Sequence, residues 1–571
     1  MGIKAWRPCD EPKELQMSRY QGSGFRYQRM KLITSFLLSY PLAALLKRVP
    51  DEKPYLKNIF IISASSFYLV GLFDLWSGVR TLAVSSIGAY GIAKYAQGPF
   101  MPWIGFVFLM GHMSLNQLTR QWANDPRAVD ITGAQMVLVM KLTAFCWNVA
   151  DGRLPDKELS DFQKERALKE LPSLLDYAGY VLFFPSLFAG PAFDYVDYRR
   201  WIETTMFEVP AGVDPSKKAP TRKKRKIPRS GTPATWKAAT GLFWITLFLK
   251  LGSWYYPDLL TGDEYLSHGF LHRVWILHML GFTSRLKYYG VWALTEGACI
   301  LSGLGYKGID PVTGKVSWDR LRNVNPWGVE SAQNTRAYLG NWNINTNNWL
   351  RNYVYLRVTP RGKKPGFRAS MATFVTSAFW HGFYPGYYLS FVLASFVQTV
   401  AKSKSAFHSL LAKSHINIDC RRYFRPFFLD PKTTQPTPMK IYYDICSYLI
   451  TQLTFSFITA PFVLLTLRES LLVWARVYFY AVIGTALATA FFASPAKAFL
   501  IKKLNRHSGN TESLKRAHSQ ESLASKEPIL GLPSEPQQDL EELVFEVKSE
   551  MQARQVRGSV KRAATVPLPK D

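Results

Sequence analysis

The sequence predicts an all-α multi-pass membrane protein with roughly ten to twelve membrane segments, some of them re-entrant. Three observations carry that expectation. Apolar stretches recur between about residue 32 and about residue 497, even though the mean hydropathy of the whole chain is only -0.06. Residues 498–571 hold no sustained apolar block, which accounts for that modest average. The blocks at 131–150 and 471–492 are also continuous, whereas a strand of a membrane β-barrel alternates apolar and polar side chains over about ten residues.

Taken in order, residues 1–31 are polar and read as a cytosolic or interfacial N-terminal segment. The block at 32–46 lacks an adjacent small-residue cleavage pattern, so it reads as a retained helix and not a removable signal. Further spans are expected at 58–76, 99–115, 131–150, 174–190, 235–256, 370–397, 441–465 and 471–492. Weaker candidates lie at 81–95, 269–282, 288–304 and 337–354. Interrupted hydrophobicity suits helices lining an internal cavity better than helices surrounded by lipid. Residues 32–497 are thus expected to form one membrane domain without internal repeats. The tail at 498–571 is rich in Ser, Glu, Lys and Gln and reads as flexible, with at most a short helix at 540–551.

A net charge of +29 raises the possibility of a nucleic-acid partner, and residues 217–229 form the densest basic run. That run lies between membrane candidates, where the positive-inside rule expects a cytosolic loop able to meet anionic headgroups. No nucleic-acid partner is expected. Cys9, Cys146, Cys299, Cys420 and Cys446 are scattered, which fits neither a disulfide framework nor a zinc site. His268, His272 and His278 lack companion carboxylates, and no metal is expected.

His381 is the one side chain in residues 370–393 that titrates near neutral pH. In hydrocarbon it needs a partner or a wet cavity, and it is able to take and return a proton. The plain alternative is a packing histidine bonded to a neighbouring hydroxyl. Upstream, Asn341, Asn343, Asn345, Asn347, Asn348 and Asn352 interleave with Trp342 and Trp349. So many amides require a network, a cavity or a ligand if buried; an interfacial helix with tryptophan anchors is the simpler reading.

The run from Trp342 to Tyr355, followed by Ser377-Ala378-Phe379-Trp380-His381-Gly382-Phe383-Tyr384, resembles the membrane-bound O-acyltransferase family. Within it the resemblance is to the fungal broad-specificity lysophospholipid acyltransferases. Stretches at 136–152, 184–194 and 285–298 strengthen it, so the motifs spread over roughly residues 130–390. The resemblance implies the fold of that family. It also implies that Asn343 is the active-site asparagine and His381 the active-site histidine. Glu296 falls at the family's acidic position, and Glu296, Trp342 and Trp380 are candidate supports of the site. Asn343 and His381 stand 38 positions apart, and the basic turn at 359–366 holds the excess over relatives with shorter connectors.

The implied reaction is direct transfer of a long-chain acyl group from acyl-CoA, a substrate and not a cofactor, to a lysophospholipid hydroxyl at the sn-2 position. His381 would take the hydroxyl proton, and Asn343 would donate to the carbonyl oxyanion or orient a reactant. No Gly-x-Ser-x-Gly elbow is present, and Cys146 and Cys299 read as packing residues. Arg285, Lys287, Arg351, Arg357, Arg361 and Lys363 are candidate acyl-CoA contacts, although positive-inside flanking explains each of them too. Tyr384, Tyr387 and Tyr388 are candidates for the lipid-acceptor pocket. Lysophosphatidylcholine, lysophosphatidylethanolamine and membrane phospholipids are the expected partners, and the endoplasmic reticulum membrane the expected location. A diacylglycerol, sterol or other lipid acceptor is the nearest alternative; a transporter is the main non-enzyme one.

Overall fold

The computed structural model describes residues 13–123, 131–208, 219, 221, 225–310, 313–359, 367–402, 425–428, 437–496, 499–500 and 502–503. Helices supply nearly all their regular structure. The first group is α1 (Lys13–Leu46), α2 (Pro54–Ser66), α3 (Trp76–Tyr95), α4 (Met101–Ala123), α5 (Thr132–Gly152), α6 (Asp161–Arg166), α7 (Leu174–Val181) and α8 (Tyr195–Ile202). Next come α9 (Gly231–Leu251), α10 (Pro257–Thr261), α11 (Glu264–Ser267) and α12 (Phe270–Ser302). After the two-residue antiparallel strands β1 (Gly308–Ile309) and β2 (Val316–Ser317) follow α13 (Pro326–Glu330), α14 (Thr335–Asn341) and α15 (Ile344–Leu350). The last are α16 (Phe367–His381), α17 (Pro385–Lys402), α18 (Lys440–Leu464), α19 (Leu467–Arg476) and α20 (Tyr480–Ala493).

Among the described residues, three helical runs are long and apolar enough to cross a membrane: Pro54–Leu72, α5 and α18. A fourth exists if α19 and α20, bent by 76°, count as one broken span. That is fewer than ten to twelve, and the sequence shows why. The candidates at 269–282 and 288–304 are one helix, α12, whose 33 residues include Arg273, Arg285, Lys287 and Glu296. The candidate at 337–354 is divided into α14, α15 and a π-helical turn, Arg351–Tyr355. The segment at 370–397 is likewise two helices, because Gly382 takes φ +131° and Pro385 starts a new one. Such breaks persist at membrane depth only where protein groups meet the freed backbone.

Buried apolar side chains form two large clusters. One gathers residues of α1 to α5, α7 and α8 with Trp349 and Trp380; the other gathers α12, α17 and α18 with Tyr338. α12 is the central element. Tyr40 of α1 donates to Leu294 O at 2.9 Å, and His278 pairs with Ser456 of α18 at 2.9 Å. Against α9 it closes through paired glycines: a Cβ on Gly290 would lie 2.4 Å from Ile245 Cγ1 and 3.0 Å from Gly241 O. Gly290→Leu is therefore expected to destabilise the fold by about 1–3 kcal/mol through overpacking. A melt of the detergent-solubilised protein checks this; an unchanged midpoint would mean the two helices part freely.

The end of the basic loop docks on the turn between α1 and α2. Arg225 donates to Arg48 O at 2.6 Å, Lys226 N to Asp51 Oδ2 at 3.0 Å, and Lys47 to Ser230 Oγ at 2.8 Å. Its residues 217, 218, 220 and 222–224 lie outside the described residues, as do 1–12 and 504–571 of the two terminal segments.

Candidate active site

Asn343 opens α15 from a left-handed conformation, φ +44° and ψ +53°, which asparagine tolerates better than most residues with a Cβ. Its neighbours are used to hold it there. Asn323 accepts from Ile344 N at 2.7 Å through its carbonyl and from Asn345 N at 3.1 Å through its side chain. The Asn345 amide donates to Leu321 O at 3.3 Å, and the Asn347 amide donates to Leu339 O and Trp342 O, both at 2.7 Å. Asn341 donates to Ala337 O at 2.7 Å and accepts from Asn325 Nδ2 at 3.1 Å. The asparagine run is thus mainly a set of backbone clasps. Asn348 is exposed, and among the described residues the Asn343 amide has no hydrogen-bond partner, which leaves its donors available.

Trp342 packs on a shelf of rings on α12, with centroids at 5.6 Å to Tyr288, 5.9 Å to Tyr289 and 5.1 Å to Trp292. Glu296 lies one turn beyond Trp292 on the same face. It is 1 % exposed and meets Lys237 Nζ of α9 at 2.7 Å. A cavity of about 170 Å³ adjoins this pair, walled by Trp236, Trp244, Tyr289, Val324 and Pro326.

His381 is the last residue of α16, partly buried among rings: Tyr387 at 5.6 Å, Phe391 at 5.2 Å and Phe462 of α18 at 4.9 Å. The bonded-hydroxyl alternative finds no support, since no described residue hydrogen-bonds the imidazole. Trp380 is tied by its indole to Met136 O of α5 at 3.1 Å. The same face of α5, at i, i+4 and i+7, also holds the asparagine helix. Thr346 bonds Met140 Sδ at 3.4 Å, and Trp349 donates to Thr143 Oγ1 at 2.8 Å. Met136 and Met140 stand about 6 Å apart along the helix axis. Both motifs therefore hang on one turn or two of a single buried helix, and no hydrogen bond joins His381 to Asn343 directly.

Asn343 and His381 also sit at the seam of the two apolar clusters. Trp342 and Phe391 pack on one, Trp349 and Trp380 belong to the other. An amide with open donors and an unbonded imidazole at such a seam can act on a neutral ester-forming pair. The amide can meet a developing oxyanion, and the ring can accept a proton.

The basic residues fare differently. Arg285 is 3 % exposed and grips Glu330 through Nε at 2.8 Å and Nη2 at 2.7 Å, while Tyr289 donates to the same carboxylate at 2.6 Å. It ties α12 to α13. Arg357 is clamped on Asp151 at 2.7 and 2.5 Å and stacks 4.3 Å above Trp147, so its charge is also engaged. Arg351 donates to Asn352 Oδ1 at 3.1 Å. Lys287 is exposed, 4.9 Å from the Tyr288 ring centroid. Arg361 and Lys363 lie outside the described residues. Of the three tyrosines, Tyr387 touches His381; Tyr384 stands 6.2 Å from Tyr387, and Tyr388 is partly buried farther along α17.

Sequence reasoning missed Gln117, whose amide donates to Trp380 O at 2.7 Å, and the bracing pair Asn323 and Asn325. A signal for Gln117 existed. His112, Asn116, Gln117 and Gln121 follow one another at the end of an otherwise apolar run, where polar side chains carry a cost unless they have a partner.

Comparison with known proteins bears on the same residues. The model of MBOAT, the membrane-bound O-acyltransferase family, matches residues 122–460. A lysophospholipid acyltransferase of Schizosaccharomyces pombe is 42% identical over 518 residues, covering 91% of this chain and 96% of that protein. One from Saccharomyces cerevisiae is 43% identical over 466 residues, covering 80% and 72% respectively. Lysophospholipid acyltransferase 1 of Arabidopsis thaliana is 31% identical over 489 residues, covering 85% and 98%.

Proposed function

The chain belongs to the membrane-bound O-acyltransferase family, and from that premise we propose that it is an acyl-CoA-dependent lysophospholipid acyltransferase. The observation that carries the proposal is that the two motifs bearing His381 and Asn343, neither side chain hydrogen-bonded among the described residues, are anchored through Trp380, Thr346 and Trp349 on one face of α5. The relatives named lysophospholipid acyltransferases support the choice of acceptor.

In the proposed reaction the sn-2 hydroxyl oxygen of the lysophospholipid attacks the thioester carbonyl carbon. His381 takes the hydroxyl proton as the C–O bond forms, and the Asn343 amide donates to the oxyanion. The C–S bond then breaks, and the proton passes from His381 to the departing thiolate. The products are a diacyl phospholipid and free CoA. No covalent enzyme intermediate is required, because the thioester is already activated and both substrates are held together. Acceptors with choline and ethanolamine headgroups are both used. The enzyme resides in the endoplasmic reticulum membrane, with the basic loop at 217–229 and the CoA end of the site on the cytosolic side.

Purified protein in nanodiscs, given labelled acyl-CoA and competing acceptors, tests the proposal. Lysophosphatidylcholine and lysophosphatidylethanolamine are expected to be acylated at sn-2. Exclusive use of diacylglycerol or a sterol would defeat the acceptor assignment, and solute transport without acyl transfer would defeat the enzyme assignment.

A further inference from the structure

We propose that Gln117 is a positioning residue for His381, acting by holding the peptide that carries the imidazole. The inference rests on the reading of His381 as the base. α16 stops at His381, so the carbonyls of its last turn lose their partners within the helix. Gly382 N takes Ala378 O at 3.1 Å. Trp380 O, on the peptide group that joins Trp380 to His381, is taken by Gln117 Nε2 at 2.7 Å from across the molecule. A carbonyl can only accept, so the amide nitrogen must face it.

Two further observations make this more than packing. The Trp380 indole is fixed separately by Met136 O of α5, so the ring and the carbonyl of one residue are held by two different helices. The contacts of the imidazole itself, with Tyr387, Phe391 and Phe462, are ring contacts without hydrogen bonds. Apart from the bonds of its own helix end, the directional constraint on the peptide before His381 comes from α4. In addition, Gln117 is 6 % exposed and its Oε1 is buried with no hydrogen-bond partner. An orphaned acceptor costs stability, so packing alone would favour an apolar side chain of similar shape. Its Cδ lies 3.9 Å from where a Cβ on Gly382 would sit, which places the amide against the very turn that ends the helix.

Two nearly isosteric variants of the full chain in nanodiscs test the proposal, with acyl-CoA and lysophosphatidylcholine as substrates. Gln117→Met removes the donor at similar volume. It is expected to lower kcat at least about tenfold with KM for both substrates within about twofold. Gln117→Glu gives a readout that packing would not move. A protonated carboxyl can donate an O–H to Trp380 O, and an ionised one cannot. The ratio of its kcat to that of the wild type is therefore expected to fall about tenfold between about pH 5.5 and about pH 8.5. Titratable or charged groups near this corner are Tyr384 and Tyr387 of α17, Tyr288 of α12 and Arg120 of α4; α5 and α18 present Met136 and Phe462. The wild type carries all of them too, so the ratio removes their own titration; a rise in the His381 pKa caused by the new carboxylate would lower the ratio at low pH, opposite in sign to the expected fall. Wild-type kcat in Gln117→Met, or a pH-independent ratio for Gln117→Glu, would overturn the inference. A dead His381→Ala beside a normal Gln117→Met sinks this inference alone, whereas an active His381→Ala sinks the reading beneath it.

Discussion

Replacing His381 by alanine is expected to lower kcat by about 10²–10⁴-fold, the range set by loss of a positioned general base. KM for acyl-CoA should stay near its wild-type value, because the contacts of the imidazole among the described residues are with rings. Truncation leaves a gap among Tyr387, Phe391 and Phe462, so the comparison needs a melting curve and a monodisperse elution profile beside the rate. The pH dependence has a definite sign. Only neutral imidazole accepts the hydroxyl proton, so wild-type turnover should be present above the His381 pKa and lost as pH falls through it. The residual rate of His381→Ala should lack that acid limb. A folded His381→Ala variant that retains more than about a tenth of wild-type turnover would remove the base from the mechanism.

Asn343→Ala is expected to cost about 10²–10³-fold in kcat, the effect of removing one oxyanion donor. The backbone complicates that variant, since φ +44° disfavours alanine by about 1–2 kcal/mol. Asn343→Gly accommodates the conformation and still lacks the amide, so it separates chemistry from strain. Asn343→Asp keeps the shape and an acceptor but loses both donors. All three should be slowed by about 10²–10³-fold in a single-turnover assay, with Asn343→Gly the most stable. Turnover by Asn343→Gly at wild-type rate would show that the amide takes no part, and that residue 343 matters only for its left-handed turn.

The candidate site was named from sequence motifs before its surroundings were known. The ordered motifs around Trp342 and Trp380 pointed to Asn343 and His381, and the structure anchors their neighbours Thr346, Trp349 and Trp380 on α5. The charged candidates were less legible, because a basic residue near a span end looks the same whether it meets a phosphate or a carboxylate. Arg285 and Arg357 found Glu330 and Asp151, which lie 45 and 206 positions away. Span boundaries were less legible for a related reason. Hydropathy records composition along the chain, but α12 is continuous despite its charges and the His381 segment is broken despite its apolarity.

What the sequence alone determined is therefore chemical and local: a helical membrane chain, an amide-rich run with one histidine downstream, and a glycine and a proline able to interrupt the helix after it. Those follow from residue types and their spacing, which act within a few positions. What only the tertiary structure decided is which polar groups cancel one another and which stay open. Asn323, Asn325 and Gln117 come from distant segments to occupy backbone groups freed by the breaks, and Glu330 and Asp151 neutralise two arginines. A buried polar group is satisfied by whatever lies within about 3 Å of it in space, and distance along the chain carries no information about that.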